Sequence, residues 1–127
     1  MTKSGKIFDS FESVRPYKIW PGVLAHAIRG ENVSFALVDL DPNVAVAEHS
    51  HSNEQVGFIL QGTFSFVIGG EKRELKPGAT YVIPGGVRHS AVAGPSGTVA
   101  LDIFSPPRED WEALDRAEPK RASWPPA

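Results

Sequence analysis

Glycine and proline interrupt this chain so often that it must turn every few residues. Twelve glycines and eleven prolines stand among its 127 residues, well above the roughly 12% that the two together usually make up. Between the breaks lie short runs rich in Val, Ile, Phe and Leu: Val23 to Arg29, Val33 to Leu40, Val44 to His51, Gln55 to Leu60, Thr63 to Ile68, Thr80 to Ile83 and Thr98 to Phe104. Short runs at this spacing predict strands, and many short strands predict an all-β barrel or sandwich. Gly30-Glu31-Asn32 reads as the turn of a hairpin, as does Gly69-Gly70, while Asp41-Pro42-Asn43, Lys76-Pro77-Gly78 and Pro84-Gly85-Gly86 read as further tight turns.

The length suits one domain with a real core and is too short for two ordinary ones. Residues 1–19 are polar and weakly patterned, an arm whose scattered Ile7, Phe8, Phe11, Val14, Tyr17 and Ile19 suit packing against a sheet. Residues 20–117 form the barrel domain. After Phe104 the pattern changes: Ser105-Pro106-Pro107, Glu109 and Asp110 are helix-start residues, and Trp111 and Leu114 give one apolar face of a single short helix to about Ala117. Residues 118–127, EPKRASWPPA, read as a flexible tail.

Charge and composition narrow the partners. Thirteen Lys and Arg against fifteen Asp and Glu leave a net charge of -2, with no basic block to track a phosphate backbone, so no nucleic-acid partner is expected. Cysteine is absent, which excludes disulfides, thiolate metal sites and a cysteine nucleophile. No segment approaches the roughly 20 apolar residues of a membrane span, and the first twenty residues lack the apolar run of a secretory signal. The expectation is a soluble, cytoplasmic protein with no membrane partner.

Two of the four histidines, His49 and His51, are two residues apart in AEHSHSNEQ. On an extended strand residues i and i+2 face the same way, so both imidazoles can reach one ion. Taken alone, such a pair in a polar segment reads more readily as an exposed turn than as a metal site. Glu54 and Gln55 follow closely, and His89 comes after the Pro84 turn, enough for three nitrogens and one oxygen. His26, well before these residues, reads as a structural or pocket-wall histidine. Asp102 lies mid-strand among apolar neighbours, where an unpaired carboxylate is costly, and period two groups it with Ala100 and Phe104. Either that face looks into the barrel or Asp102 is paired on the outside.

HSHSNEQVGFILQG resembles the first motif of the cupin superfamily, in which His-x-His is followed by an acidic or amide ligand and then, after six residues, a glycine. The count from Gln55 to Gly62 meets that spacing, which favours Gln55 over its competitor Glu54. Gly78, Pro84, Gly86 and His89 fill the Gly, Pro-x-Gly and His places of the second motif. Asn43 stands where the first motif opens with glycine, a mild change because Asn tolerates left-handed backbone, and Ala93 replaces the second motif's last Asn. The resemblance implies a cupin double-stranded β-helix, a jelly-roll barrel with a short C-terminal helix, holding one divalent ion (Zn, Ni, Fe or Mn) on His49, His51, Gln55 and His89. It also implies a homodimer formed through an exchanged N-terminal arm. Such a shell is neutral, so the ion keeps its full charge, which favours a small anionic substrate and Lewis-acid chemistry.

The run from Asp102 to Asp110, Asp-x-Phe-Ser-Pro-x-Arg-Glu-Asp, is similar to the last strand and turn of KdgF-type pectin-degradation cupins. That narrower resemblance implies that Asp102 and Phe104 face the metal pocket and that Arg108 is near it. Asp102 then moves a proton, Phe104 contacts substrate, and Arg108 either clamps the substrate carboxylate or braces the turn. The implied reaction is ring opening of 4,5-unsaturated uronates. An iron-dependent dioxygenase and a non-catalytic small-molecule-binding cupin are the alternatives.

Overall fold

Alternation along the strands decides which side chains go inward, and the turns decide where the strands meet. The computed structural model describes residues 7–126; the first six residues of the expected arm and Ala127 of the tail lie outside that range. The described residues form eight strands: β1 (Tyr17–Trp20), β2 (Val23–Arg29), β3 (Ser34–Leu40), β4 (Ala45–His49), β5 (Glu54–Ile68), β6 (Glu71–Leu75), β7 (Thr80–Ile83) and β8 (His89–Ser105). They hydrogen-bond in the order β1-β2-β3-β8-β5-β6, with β4 beside β8 and β7 beside β5. All pairs are antiparallel.

The two longest strands build the jelly roll. The first part of β5 lies between β7 and the end of β8, whereas its second part lies between β6 and the start of β8. The change of direction falls at two register shifts, between Ile59 and Gln61 and between Gly62 and Phe64. Such bulges bend a strand and increase its twist. Gly62 is required there on two counts: its φ is +75, and a Cβ would lie 2.0 Å from the Gly97 carbonyl oxygen. The two strands thus fold over together and close the barrel around Val23, Leu40, Ile59, Phe64, Phe66, Tyr81 and Ile83.

The segments around Phe11 and Ala122 pack on the outside of the β2-β3-β8 region. Phe11 and Ala122 cover Leu37 and Val99, and Ser123 N–H donates to Asp39 Oδ2 at 2.8 Å. The segment expected as a loose tail is therefore tied down at 122–123. His26 is fully buried beneath this cover, its Nδ1 3.2 Å from the Phe11 carbonyl oxygen. It is on the face of β2 opposite Ala25, which packs against the inward Phe104, so it is a structural histidine.

The C-terminal helix is shorter than the sequence implies, a single 3-10 turn at Asp110–Ala113. One helical turn is costly to nucleate alone, and here better partners end it. Leu114 is already extended, Arg116 bridges to Tyr17, and Ala117 N–H donates to the Pro16 carbonyl at 2.8 Å.

Candidate metal centre

His49 ends β4, His51 stands in the following loop, and His89 opens β8, directly opposite His49 in the register. Strand pairing thus brings together residues forty apart in sequence. The three rings have centroids 4.3 to 6.0 Å apart, and one ligand nitrogen from each falls within 4.8 Å of the others. These three histidines make a site able to hold a metal ion.

Each imidazole is oriented by a backbone carbonyl. Nδ1 lies 2.9 Å from Ala47 O in His49, 3.1 Å from Asn53 O in His51 and 2.9 Å from Val87 O in His89. A carbonyl only accepts, so Nδ1 carries the proton in all three, and the lone pair is left on Nε2. Burial lowers the pKa of His51 and, to about 4, that of His89. Arg108 and the neighbouring histidines lower both further. The His51 and His89 rings are therefore held neutral, the form that binds a metal.

The structure brings Gln55, not Glu54, to these rings. Gln55 points into the barrel and is 6% exposed, whereas Glu54 is exposed on the other face. Gln55 Oε1 lies 3.0 Å from His51 Nε2. With Nδ1 protonated, both of those atoms present lone pairs, and two lone pairs at that distance repel unless a cation lies beside them. The donor set, three imidazole nitrogens and one amide oxygen, fits a divalent transition metal.

Asp102 is also inside. Ala100, Asp102 and Phe104 are all buried, while Ile103 is exposed, as parity along the strand requires. Burial raises the Asp102 pKa from 3.8 to about 6, opposed by the hydrogen bond from Tyr81, by the neighbouring Gln55 amide and by the charge of Arg108. Tyr81 O–H donates to Asp102 Oδ1 at 2.6 Å. His49, Gln55, His89, Asp102, Phe104 and Arg108 all line one cavity of about 80 Å³, room for several waters or one end of a small molecule.

Arg108 braces the turn. Nε and Nη2 form a bidentate pair with Asp110 at 2.9 and 2.8 Å. The guanidinium is stacked 4.9 Å from the Phe104 ring centroid and 4.5 Å from that of Trp111. The fork that would grip a substrate carboxylate is taken by Asp110, and Arg108 lines the cavity with its charge.

Sequence reasoning passed over Tyr81, Asn53 and Trp20. Tyr81 had one signal: an inward tyrosine in the alternating run Thr80 to Ile83 needs a partner for its hydroxyl. Asn53 Nδ2 donates to the Pro106 and Pro107 carbonyls at 2.6 and 3.2 Å, tying the His51 loop to the end of β8. Trp20 lines the cavity mouth, 40% exposed, with its ring 5.1 Å from that of His49.

The Cupin domain family matches residues 36–104. The pectin degradation protein KdgF of Dickeya dadantii (strain 3937) is 39% identical over 64 residues, 50% of this chain and 58% of that protein, so the match spans less than two thirds of that relative. Among solved structures, KdgF from Halomonas sp. is 30% identical with a TM-score of 0.74, the alignment covering 84% of this chain and 97% of that one. An RmlC-like cupin from Shewanella frigidimarina is 26% identical with a TM-score of 0.78, covering 84% and 96%.

Proposed function

Because the chain belongs to the Cupin domain family and is a small cupin resembling KdgF, we propose that it is a metal-dependent enzyme acting on a small carboxylated sugar. We assign it the ring opening of 4,5-unsaturated uronates to the linear ketouronate, a step in pectin or alginate degradation. The name of the Dickeya dadantii relative, a pectin degradation protein, supports that substrate class. The observation that carries the reading is the buried carboxylate of Asp102 in the same cavity as the imidazoles of His49 and His89 and the Gln55 amide.

Ring opening is an isomerisation. The anomeric hydroxyl loses its proton, the bond from the anomeric carbon to the ring oxygen breaks to leave an aldehyde, and its electron pair stays on what becomes the enol oxygen. A proton then goes to the alkene carbon that bore no oxygen, leaving a ketone. His49, His51, Gln55 and His89 would hold a dication, which would supply positive charge for the substrate carboxylate and the developing enol oxygen. Asp102 takes the proton from the anomeric hydroxyl and returns one to carbon, which suits a carboxyl whose pKa stands near 6. Phe104 walls the cavity, and Arg108 adds positive charge beside the substrate carboxylate.

The test is an assay of metal-loaded protein on a panel of unsaturated uronates, following loss of the conjugated alkene and appearance of the ketouronate. Turnover supports the reading. Oxygen uptake by iron-loaded protein without uronate turnover would replace it with a dioxygenase, and ligand binding without either reaction would make the chain a binding module.

The same reading includes a homodimer. Ile7 and Phe8 are 88% and 90% exposed. Phe35, Ile103, Val56 and Val82 lie in one cross-strand row over β3, β8, β5 and β7, with three of the four exposed. An apolar arm and an apolar row of this kind are matched by a second copy of the chain. Light scattering should give twice the chain mass for the wild type and the monomer mass for Ile103→Asp; a monomeric wild type refutes the assignment.

A further inference from the structure

One cross-strand row runs behind the imidazoles through three strands. Gly57 of β5 is paired with Tyr81 of β7 on one side and with Asp102 of β8 on the other. Side chains in such a row share a face, so any side chain at 57 would stand between its two neighbours. A Cβ there would lie 2.3 Å from Asp102 Oδ1, 2.6 Å from the Leu101 carbonyl oxygen and 2.9 Å from Tyr81 Cε1. The backbone at Gly57 is not left-handed; it is the space, not the conformation, that demands glycine. Across the gap the Tyr81 hydroxyl reaches Asp102 Oδ1 at 2.6 Å. Burial and the adjacent carboxylate push the Tyr81 phenol well above its ordinary pKa, so it remains a donor.

The chain of contacts continues from Asp102 to the metal centre. Gln55 and Asp102 are diagonal neighbours across β5 and β8, both facing inward; the Gln55 amide acts on the Asp102 carboxyl, and its Oε1 lies 3.0 Å from His51 Nε2. The two ends of an amide are nearly identical in shape, but only the oxygen can bind a metal. A carboxylate accepts and does not donate, so Asp102 engages the NH₂ end and turns the oxygen toward the imidazoles. That control works only while the carboxylate is itself held in place.

We propose that Tyr81 is a positioning residue for the metal centre: by holding Asp102 across the gap left by Gly57, it fixes Gln55 with its amide oxygen aimed at the three imidazoles. The proposal rests on Gln55 being a ligand. Partners one step removed from a metal typically contribute 10–100-fold in affinity or activity. Tyr81→Phe removes one oxygen and keeps the ring beside Phe66, 4.9 Å away between centroids, so the fold is retained.

The experiment is titration of the metal-free full chain with cobalt(II), read by calorimetry and by the visible absorption of the bound ion, for wild type, Tyr81→Phe, Gln55→Leu and the double variant. Tyr81→Phe should bind cobalt about 10–100-fold more weakly, with a spectrum moved toward that of Gln55→Leu. The double variant should bind no more weakly than Gln55→Leu alone, because Tyr81 acts through Gln55. Wild-type affinity in Tyr81→Phe, or losses that simply add in the double variant, would overturn the positioning role while leaving the ligand set intact. An unchanged Gln55→Leu would overturn the ligand assignment itself and the proposal with it. Neither result depends on uronate turnover.

Discussion

At the scale of single residues, Asp102 has the most to lose from replacement. It is 7% exposed and holds its proton up to about pH 6. Asparagine has nearly the same shape but cannot move a proton, so Asp102→Asn should keep the fold while, with the metal site saturated, kcat on an unsaturated uronate falls by about 10²–10⁴-fold with a smaller change in KM. Near-wild-type turnover would sink the role given to Asp102. Stability gives a check without substrate. The folded-state pKa is raised, so in metal-free protein this carboxyl favours the folded state below its ordinary value of 3.8, and the contribution is lost as pH rises through about 6. Denaturation of metal-free protein should therefore show Asp102→Asn gaining on wild type as the pH is raised across that window. Asp102 was legible in the sequence, because a carboxylate at an alternate position of an apolar strand must be either outside or doing something inside. Asn43 was legible too: it takes the left-handed place of a motif glycine, with φ +62. Tyr81 was not, since its meeting with Asp102 depends on β7 and β8 flanking β5, and strand order is not written in local pattern.

The elements show where local pattern stops. The short runs marked most strands, yet Gln55 to Leu60 and Thr63 to Ile68 are one strand, and Thr98 to Phe104 is the last part of β8. Bulges at 59–61 and 62–64 keep the pairing going through residues that read as a break. β6, Glu71–Leu75, is largely exposed and polar; it lacks an apolar pattern and owes its conformation to pairing with β5 after the Gly69-Gly70 turn. The loop carrying His51 likewise depends on a distant partner. Asn53 is buried and spans from that loop to the carbonyls of Pro106 and Pro107, while its own carbonyl accepts from His51 Nδ1. Asn53→Ala would leave the buried Pro107 carbonyl without its donor, a loss of about 1–3 kcal/mol, and would free the loop that aims His51. Chemical denaturation should show that loss together with weaker metal binding. Unchanged stability and unchanged affinity would mean that the loop is held by its ends alone.

For the whole molecule, the decisive separation is between the core and the metal. Val23, Leu40, Ile59, Phe64, Phe66 and Ile83 build the main cluster without any of the four proposed ligands, so the barrel does not need an ion in order to fold. The ion would tie the end of β4 and its loop to β5 and to the start of β8, and whatever binds only the folded state stabilises it. At an ion concentration one hundred times Kd the gain is about 2.7 kcal/mol, which for a domain of this size is a melting shift on the order of 10 °C. Chelation should therefore lower Tm by about that amount while the far-ultraviolet circular dichroism keeps its β signature below the transition. The pH dependence has a definite sign. His26, His51 and His89 all have folded-state pKa values lowered from 6.5, the last to about 4, so the unfolded chain takes up protons that the folded one refuses. Their joint effect is to make metal-free protein lose stability as pH falls below about 6.5, with the His89 contribution continuing down to about 4. Metal-loaded protein should lose more over the same window, because its ligands must stay unprotonated to hold the ion. Equal Tm with and without chelator across the whole range would show that no ion contributes to the fold, and unfolding on mild chelation at neutral pH would show that the core has been credited with too much.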